Sequence, residues 1–80
     1  MKKLEESEKQ EVRDLVCDLL VCDPEYLTDD TILEDLGCDS IDLVELFMEV
    51  EKKFNCQIPD DEIEPGLSIS AFFTVIENYI

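Results

Sequence analysis

The chain has no histidine, and that absence bears on every chemical reading of it. A serine nucleophile most often loses its proton to an imidazole. Without one, Ser40 in the stretch LGCDSIDLVEL is a poor candidate for attacking a substrate. The spacing also misses the G-x-S-x-G elbow of hydrolases, since Ile41 and Asp42 stand where the second glycine belongs. What remains for this hydroxyl is a helix cap, or a group that another enzyme modifies.

Basic residues are scarce as well. Six Lys and Arg face 22 Asp and Glu, a net charge of −16 on 80 residues. Such a body repels phosphates, which excludes nucleic acid and anionic membrane as partners. Its natural complement is a basic protein surface, with an attraction that salt weakens. No C-x-x-C occurs among the four cysteines at 17, 22, 38 and 56. With no histidine and no secretory leader they read as reduced thiols of a cytoplasmic protein, not as a disulfide framework or metal site. Cys22 and Cys56 sit among apolar neighbours and read as small hydrophobes.

No apolar run follows the lysines of MKKLEESEKQ, so that segment is not a signal peptide. No stretch reaches membrane-spanning length. Despite the many acids, none of them falls into the alternating ligands, glycine and twelfth-position glutamate of a calcium loop. Strand-like alternation of useful length is also missing.

What the chain does have is 45% hydrophobic residues at helical spacing, enough for one small domain over residues 1–80 with a modest core. Ser7 with Gln10 reads as a capping box, and Val12, Leu15, Val16, Leu19 and Leu20 form one stripe behind it. Pro24 closes that helical zone, and a long loop follows through DPEYLTDDTILEDLG. Its length calls for apolar anchors, which Leu27, Ile32, Leu33 and Leu36 supply. Gly37 breaks the chain, and Asp39 with Asp42 can cap a helix from about Ser40 to Phe54. After Ile58-Pro59, the acids of DDEIE predict a short helix over 60–64, stopped by Pro65-Gly66 and mobile because it is so short. Ser68 or Ser70 caps a final helix carrying Ala71, Phe72, Val75, Ile76 and Tyr79. The expected fold is all-α: a small four-helix bundle of three main helices plus one short helix, with a long first loop.

At roughly 100° per residue, the central helix shows two apolar faces. Leu43, Leu46, Phe47, Val50 and Phe54 gather on one and form the core face. Ile41, Val44 and Met48 make a smaller stripe well away from it, with Glu45, Glu51 and Lys52 around them and Asp42 and Glu49 further round. A buried helix needs only the first stripe. The second is either a docking surface rimmed by carboxylates or a seat for a covering loop. Ser40 lies between the stripes at the helix N-terminus, where backbone N–H groups and the helix dipole favour a phosphate ester, although Asp39 and Asp42 oppose it. On geometry alone, a plain cap and an attachment point are level readings.

The segment LEDLGCDSIDLVELFMEVEKKFNCQIPDDEIE resembles the middle of acyl carrier proteins, in which a Gly-x-Asp-Ser-Leu stretch opens a helix. DPEYLTDDTILEDLG resembles the family's long first loop, and the helix ending in ENYI its last helix. The likeness covers about residues 8–80. Asp39-Ser40 alone would be weak; Gly37 before it, Glu45 after it and Ile58-Pro59-Asp60 at family spacing make it specific. The resemblance implies that a phosphopantetheinyl transferase attaches 4′-phosphopantetheine from coenzyme A to Ser40. The arm's thiol would then carry acyl thioesters between enzymes of fatty-acid or polyketide synthesis, the chain itself being a monomer and no catalyst. It also implies that Asp39, Ile41, Asp42, Val44, Glu45, Met48, Glu51 and Asp60 meet basic partner enzymes. Ile32, Leu33, Leu46, Val50, Ile63 and Phe72 would line a pocket for the acyl chain, with the short helix as its moving element.

Some residues depart from that pattern. Ile41 replaces the usual leucine, Lys52 and Lys53 stand where acids are common, and Glu49 where a small residue is. Phe72, Phe73 and Pro65-Gly66 bear on the pocket. These leave open a dedicated carrier of another pathway, aminoacyl or lipid-modifying, and an unmodified acidic adaptor remains as a different class. The charge itself makes a prediction. Self-repulsion among 22 acids is screened by salt, so the thermal midpoint should climb between low and physiological NaCl. A flat or falling midpoint in that range would show that self-repulsion is not a significant strain on the fold.

Overall fold

A computed structural model describes residues 3–80. Met1 and Lys2, with which the N-terminal reading begins, lie outside the described residues. Among the described residues three α-helices occur: α1 (Glu6–Leu20), α2 (Ser40–Phe54) and α3 (Ile69–Tyr79). Short 3-10 turns stand at Pro24–Tyr26, Leu33–Leu36 and Asp60–Glu62. The only extended pairing among these residues is an isolated antiparallel bridge between Ile32 and Ser68. The architecture is thus the expected all-α one. The fourth, short element is narrower than the sequence pattern predicts: a single 3-10 turn at Asp60–Glu62 instead of a helix over 60–64.

The ends of α1 differ from expectation. Glu5, not Ser7, is its N-cap, with extended backbone at φ −78° and ψ 163°. The Glu5 N–H donates to the Glu8 carboxylate at 3.0 Å, which fixes the entry ahead of where a Ser7–Gln10 pair would and leaves Ser7 inside the first turn. At the other end α1 stops at Leu20, ahead of Pro24. Val21 turns left-handed at φ 57°, and the Cys22 N–H reaches back to the Cys17 carbonyl at 3.1 Å. A backbone reversal thus ends this helix, before proline's ring can. The same device closes α2, where Asn55 takes φ 53° and the Cys56 N–H bonds to the Glu51 carbonyl at 3.1 Å. Asn tolerates that conformation; a β-branched valine does so at a cost.

Three helices of this length cannot bury their apolar stripes singly, and here they share one cluster. Val12 and Val16 from α1, Leu43, Leu46, Phe47 and Val50 from α2, and Ile69, Phe72, Phe73 and Ile76 from α3 are all buried. Phe47 and Phe72 meet edge-on with ring centroids 5.1 Å apart, a favoured aromatic geometry. The Lys9 and Arg13 cations lie 5.7 and 5.3 Å from the Phe73 ring centre, covering the core's edge on the α1 side. The long loop is no loose strand of chain. Leu27 and Leu33 sink into the core. Its backbone is stitched to the segment before α3: the Leu33 N–H to the Leu67 carbonyl at 2.9 Å, Ile69 to Thr31 at 2.8 Å, and Ser70 to Asp29 at 3.0 Å. Arg13 pairs with Asp29 at 3.8 Å from the α1 side. These bonds explain how a loop of this length stays ordered in so small a body.

Val21 offers a direct test of the reversal. Its side chain is 89% exposed, so little packing depends on it, while glycine adopts its backbone without steric cost. Val21→Gly should raise unfolding stability by roughly 1 kcal/mol in denaturant melts. A loss of stability would mean the valine side chain contributes more than its conformation costs.

Candidate functional site

The head of α2 is assembled from a turn, a cap and an exposed hydroxyl. Leu33–Leu36 ends at Gly37, whose φ of 85° is left-handed and disfavours any side chain there. That reversal aims the chain into α2. Cys38 tucks inward, 4% exposed, its thiol donating to the Asp39 carbonyl at 3.7 Å. Burial first, and then Asp42 and Asp39, push the Cys38 thiol up from its ordinary pKa, so it is a protonated core residue and no nucleophile. Asp39 is the N-cap, its carboxylate accepting the Asp42 N–H at 2.8 Å. Of the two candidate caps, Asp42 is therefore the capped residue, not a cap. Ser40 is the first helical residue and is exposed. Since Asp39 supplies the cap, the Ser40 hydroxyl is not consumed by capping.

The two faces of α2 separate as their spacing predicts. Leu43, Leu46, Phe47 and Val50 are buried and Phe54 is half-buried. Ile41, Val44 and Met48 are 75%, 48% and 50% exposed, so no loop covers the second stripe. An open depression beside Ser40 is lined by Ile41, Val44, Glu45, Met48, Glu49 and Lys52. A second continues past Met48 and Lys52 to Glu51, Cys56 and Ile58-Pro59. The two share Met48 and Lys52 and so run along one side of the helix. Glu45 is exposed, Asp42 half-buried, and Asp60 exposed on its 3-10 turn. Glu49 and Lys52 pair at 3.5 Å, which offsets the departure in charge at this end of the strip. Glu51 has an internal task as well. Its carboxylate accepts the Ile58 N–H at 2.7 Å and holds the segment after α2 against the helix, a role that its position in the pattern gave no sign of.

The six expected pocket residues are placed in two groups. Leu33, Leu46, Val50 and Phe72 are fully buried in the shared core, while Ile32 and Ile63 lie half-buried at its edge. None of the six lines the depressions along α2. Among the described residues, no group of three or more His, Cys, Asp or Glu side chains is arranged to hold a metal ion.

A free serine hydroxyl at a helix start, with an apolar groove beside it and no histidine in the chain to activate it, is open to modification by another enzyme and poorly equipped for catalysis. Comparison with known families agrees: residues 10–74 match the family model described as a phosphopantetheine attachment site. The chain belongs to this phosphopantetheine-binding family, and within it to the acyl carrier proteins. Relatives that bear that name include the following. The protein of Campylobacter hominis is 49% identical over 70 residues, 86% of this chain and 89% of its own length. That of Campylobacter curvus is 47% identical over 68 residues, 84% of this chain and 88% of its own. That of Wolinella succinogenes is 38% identical over 68 residues, 84% and 90% of the two lengths. Acyl carriage on phosphopantetheine is accordingly the function of this chain.

The cap can be tested apart from any loading. Asp39→Ala should destabilise the fold by about 1 kcal/mol, and Asp39→Asn, which keeps an acceptor, by only a fraction of that. Equal losses would show that the carboxylate's charge, not its acceptor oxygen, steadies α2.

Proposed function

We propose that Ser40 is the attachment point of the 4′-phosphopantetheine. The observation that carries this reading is the exposed Ser40 hydroxyl at the head of α2, freed from capping by Asp39. The first N–H groups of α2 have no intrahelical acceptor and the helix dipole favours an anion near them. The apolar groove beside Ser40 offers the pantetheine chain a place to lie. When bound, the group supplies a terminal thiol on which acyl chains travel as thioesters. The chain's own part is to present the acceptor oxygen; the transferase supplies the base that no histidine here could.

Ile41, Val44 and Met48, with Asp39, Asp42, Glu45, Glu51 and Asp60 around them, form the proposed docking strip for the transferase and for synthase enzymes with basic surfaces. Long-range attraction sets orientation and on-rate, and the exposed apolar residues supply contact area. Ile32, Leu33, Leu46, Val50, Ile63 and Phe72 form the proposed shelter for a cargo chain, opening where Ile32 and Ile63 reach the surface. In this reading residues 1–80 act as one non-catalytic, monomeric carrier domain in the cytoplasm, serving fatty-acid or polyketide-type synthesis. No helix among the described residues is long and apolar enough to cross a membrane.

Incubation with coenzyme A and a broad-specificity phosphopantetheinyl transferase should add one phosphopantetheine to the intact mass. Ser40→Ala should add none while keeping its helical signal. Val44→Asp should slow loading at least tenfold in initial rate, since it breaks the apolar strip without touching Ser40. A folded wild-type chain that stays unloaded beside a control carrier would overturn the assignment of Ser40 and leave it a plain helix residue of an adaptor.

A further inference from the structure

The reversal that ends α1 brings together two groups that carriage does not use. Cys17 is in the last turn of α1 and Cys22 follows the left-handed Val21. The bond from the Cys22 N–H to the Cys17 carbonyl, 3.1 Å, marks the type of helix ending in which the first and last residues of the turn touch side chain to side chain. That contact is ordinarily apolar. Here it is two thiols, with the Cys22 Sγ donating to the Cys17 Sγ at 2.7 Å. Both are free cysteines. Cys17 is buried, whereas Cys22 is half-buried and reachable from solvent.

We propose that Cys17 and Cys22 are a redox modification site, forming a reversible internal disulfide by exchange with a small-molecule disulfide. The Cys22 thiolate attacks one sulfur of the oxidant, making a mixed disulfide and releasing one thiolate. The Cys17 sulfur then attacks the Cys22 sulfur, and the oxidant's second thiolate leaves. The two cysteines lose two protons and two electrons, and the oxidant ends as two thiols. Attack starts at Cys22 because it is the accessible sulfur. The Cys17 thiol is pushed up to about 12 by burial first and then by Cys22, which slows its attack, so the second step rests on the contact of the two sulfurs. No backbone movement across the fold is required, since the helix ending already sets the two sulfurs against each other. The other two cysteines lack such a partner. Cys38 is buried with its thiol on the Asp39 carbonyl, and Cys56 follows the end of α2. Among the described residues, no other cysteine pair is in hydrogen-bond contact. The bond would tie the start of the long loop covalently to α1.

The test uses the whole chain and its Ser40→Ala variant, so that an arm thiol cannot enter. Each is equilibrated in glutathione buffers of stepped potential, quenched in acid and alkylated. Intact mass is read, and the chain is then reduced, given a second label and fragmented. The expected product is a monomer lighter by two hydrogens, with two of its four cysteines open to the first label. The second label should fall on Cys17 and Cys22 alone. Cys22→Ser should abolish the product, and Cys38→Ser and Cys56→Ser should keep it. The oxidised chain should also melt at a higher temperature than the reduced one, a shift missing from Cys22→Ser. Because Cys22 is only half-buried, that variant decides the matter even if Cys17→Ser fails to fold. A second label on Cys38 or Cys56, intermolecular dimers, or a glutathione adduct that persists on Cys22 without ring closure would each overturn the proposal. Loading of Ser40 is not read in any arm, so its failure would not be mistaken for this one.

Discussion

The contact on which the arrangement turns is that between Phe47 and Phe72, in the middle of the core. It fixes the rotation of α2 about its own axis. Leu43, Leu46 and Val50 share a face with Phe47, so locking that ring against α3 sends all of them inward. Ile41, Val44 and Met48 are then turned outward whatever their hydrophobicity. Exposed apolar side chains on a helix are costly to solubility and give nothing to folding. Their presence there, beside a free serine, is intelligible as a surface for another molecule. The core contact thus determines what the outer face can offer.

Charge is arranged around this core with little to spare. No polar or charged side chain among the described residues is buried, so the carboxylates must share the surface of a very small body. Three of the few cations are placed where they hold elements together. Lys9 and Arg13 cover Phe73, Arg13 also reaches Asp29, and Lys53 joins α2 to Glu11 of α1 at 3.3 Å. Exposed pairs of this kind contribute little each. In a chain of net charge −16 their larger effect is to relieve repulsion between elements that must pack. Acids also stand near the head of α2 and on the Asp60–Glu62 turn, which is where the proposed partners would bring positive charge.

Helical periodicity made most of this legible. The core stripe of α2, the presence of a second apolar stripe, and the helix bounds at Ser40 and Phe54 follow from local rules, because each depends on residues within a turn or two. What local rules missed were interactions between distant segments and choices between near-equal caps. Glu5 displaced Ser7 at the head of α1 through a carboxylate three residues on. The Glu51 bond to Ile58 spans seven residues of irregular chain, and no periodic signal encodes it. The stitching of Thr31 and Leu33 to the chain before α3 is likewise backbone pairing, blind to side-chain identity. The Cys17–Cys22 contact could have been read from spacing only by knowing that Val21, a poor left-handed residue, would reverse the chain.

These long-range ties bear on how a cargo could be sheltered in so full a core. Leu33, Leu46, Val50 and Phe72 have no exposed surface, and interiors packed at such density take in a chain only by moving an element. The helices are poor candidates, being fixed through the shared aromatic centre. The segment from Ile58 to Glu64 is a better one. A single 3-10 turn holds its own shape by few bonds, and a main tie to α2 is the one hydrogen bond from Ile58 to Glu51. Ile63 is half-buried at its end, so displacing this turn uncovers the core beside Ile63 without parting Phe47 from Phe72. Glu51 then stands both in the proposed docking strip and at the hinge of the proposed opening. A cation on a partner enzyme that drew the Glu51 carboxylate away from the Ile58 N–H would loosen the turn as it docked. Binding at the outer face and release from the core would in that case be linked through one side chain.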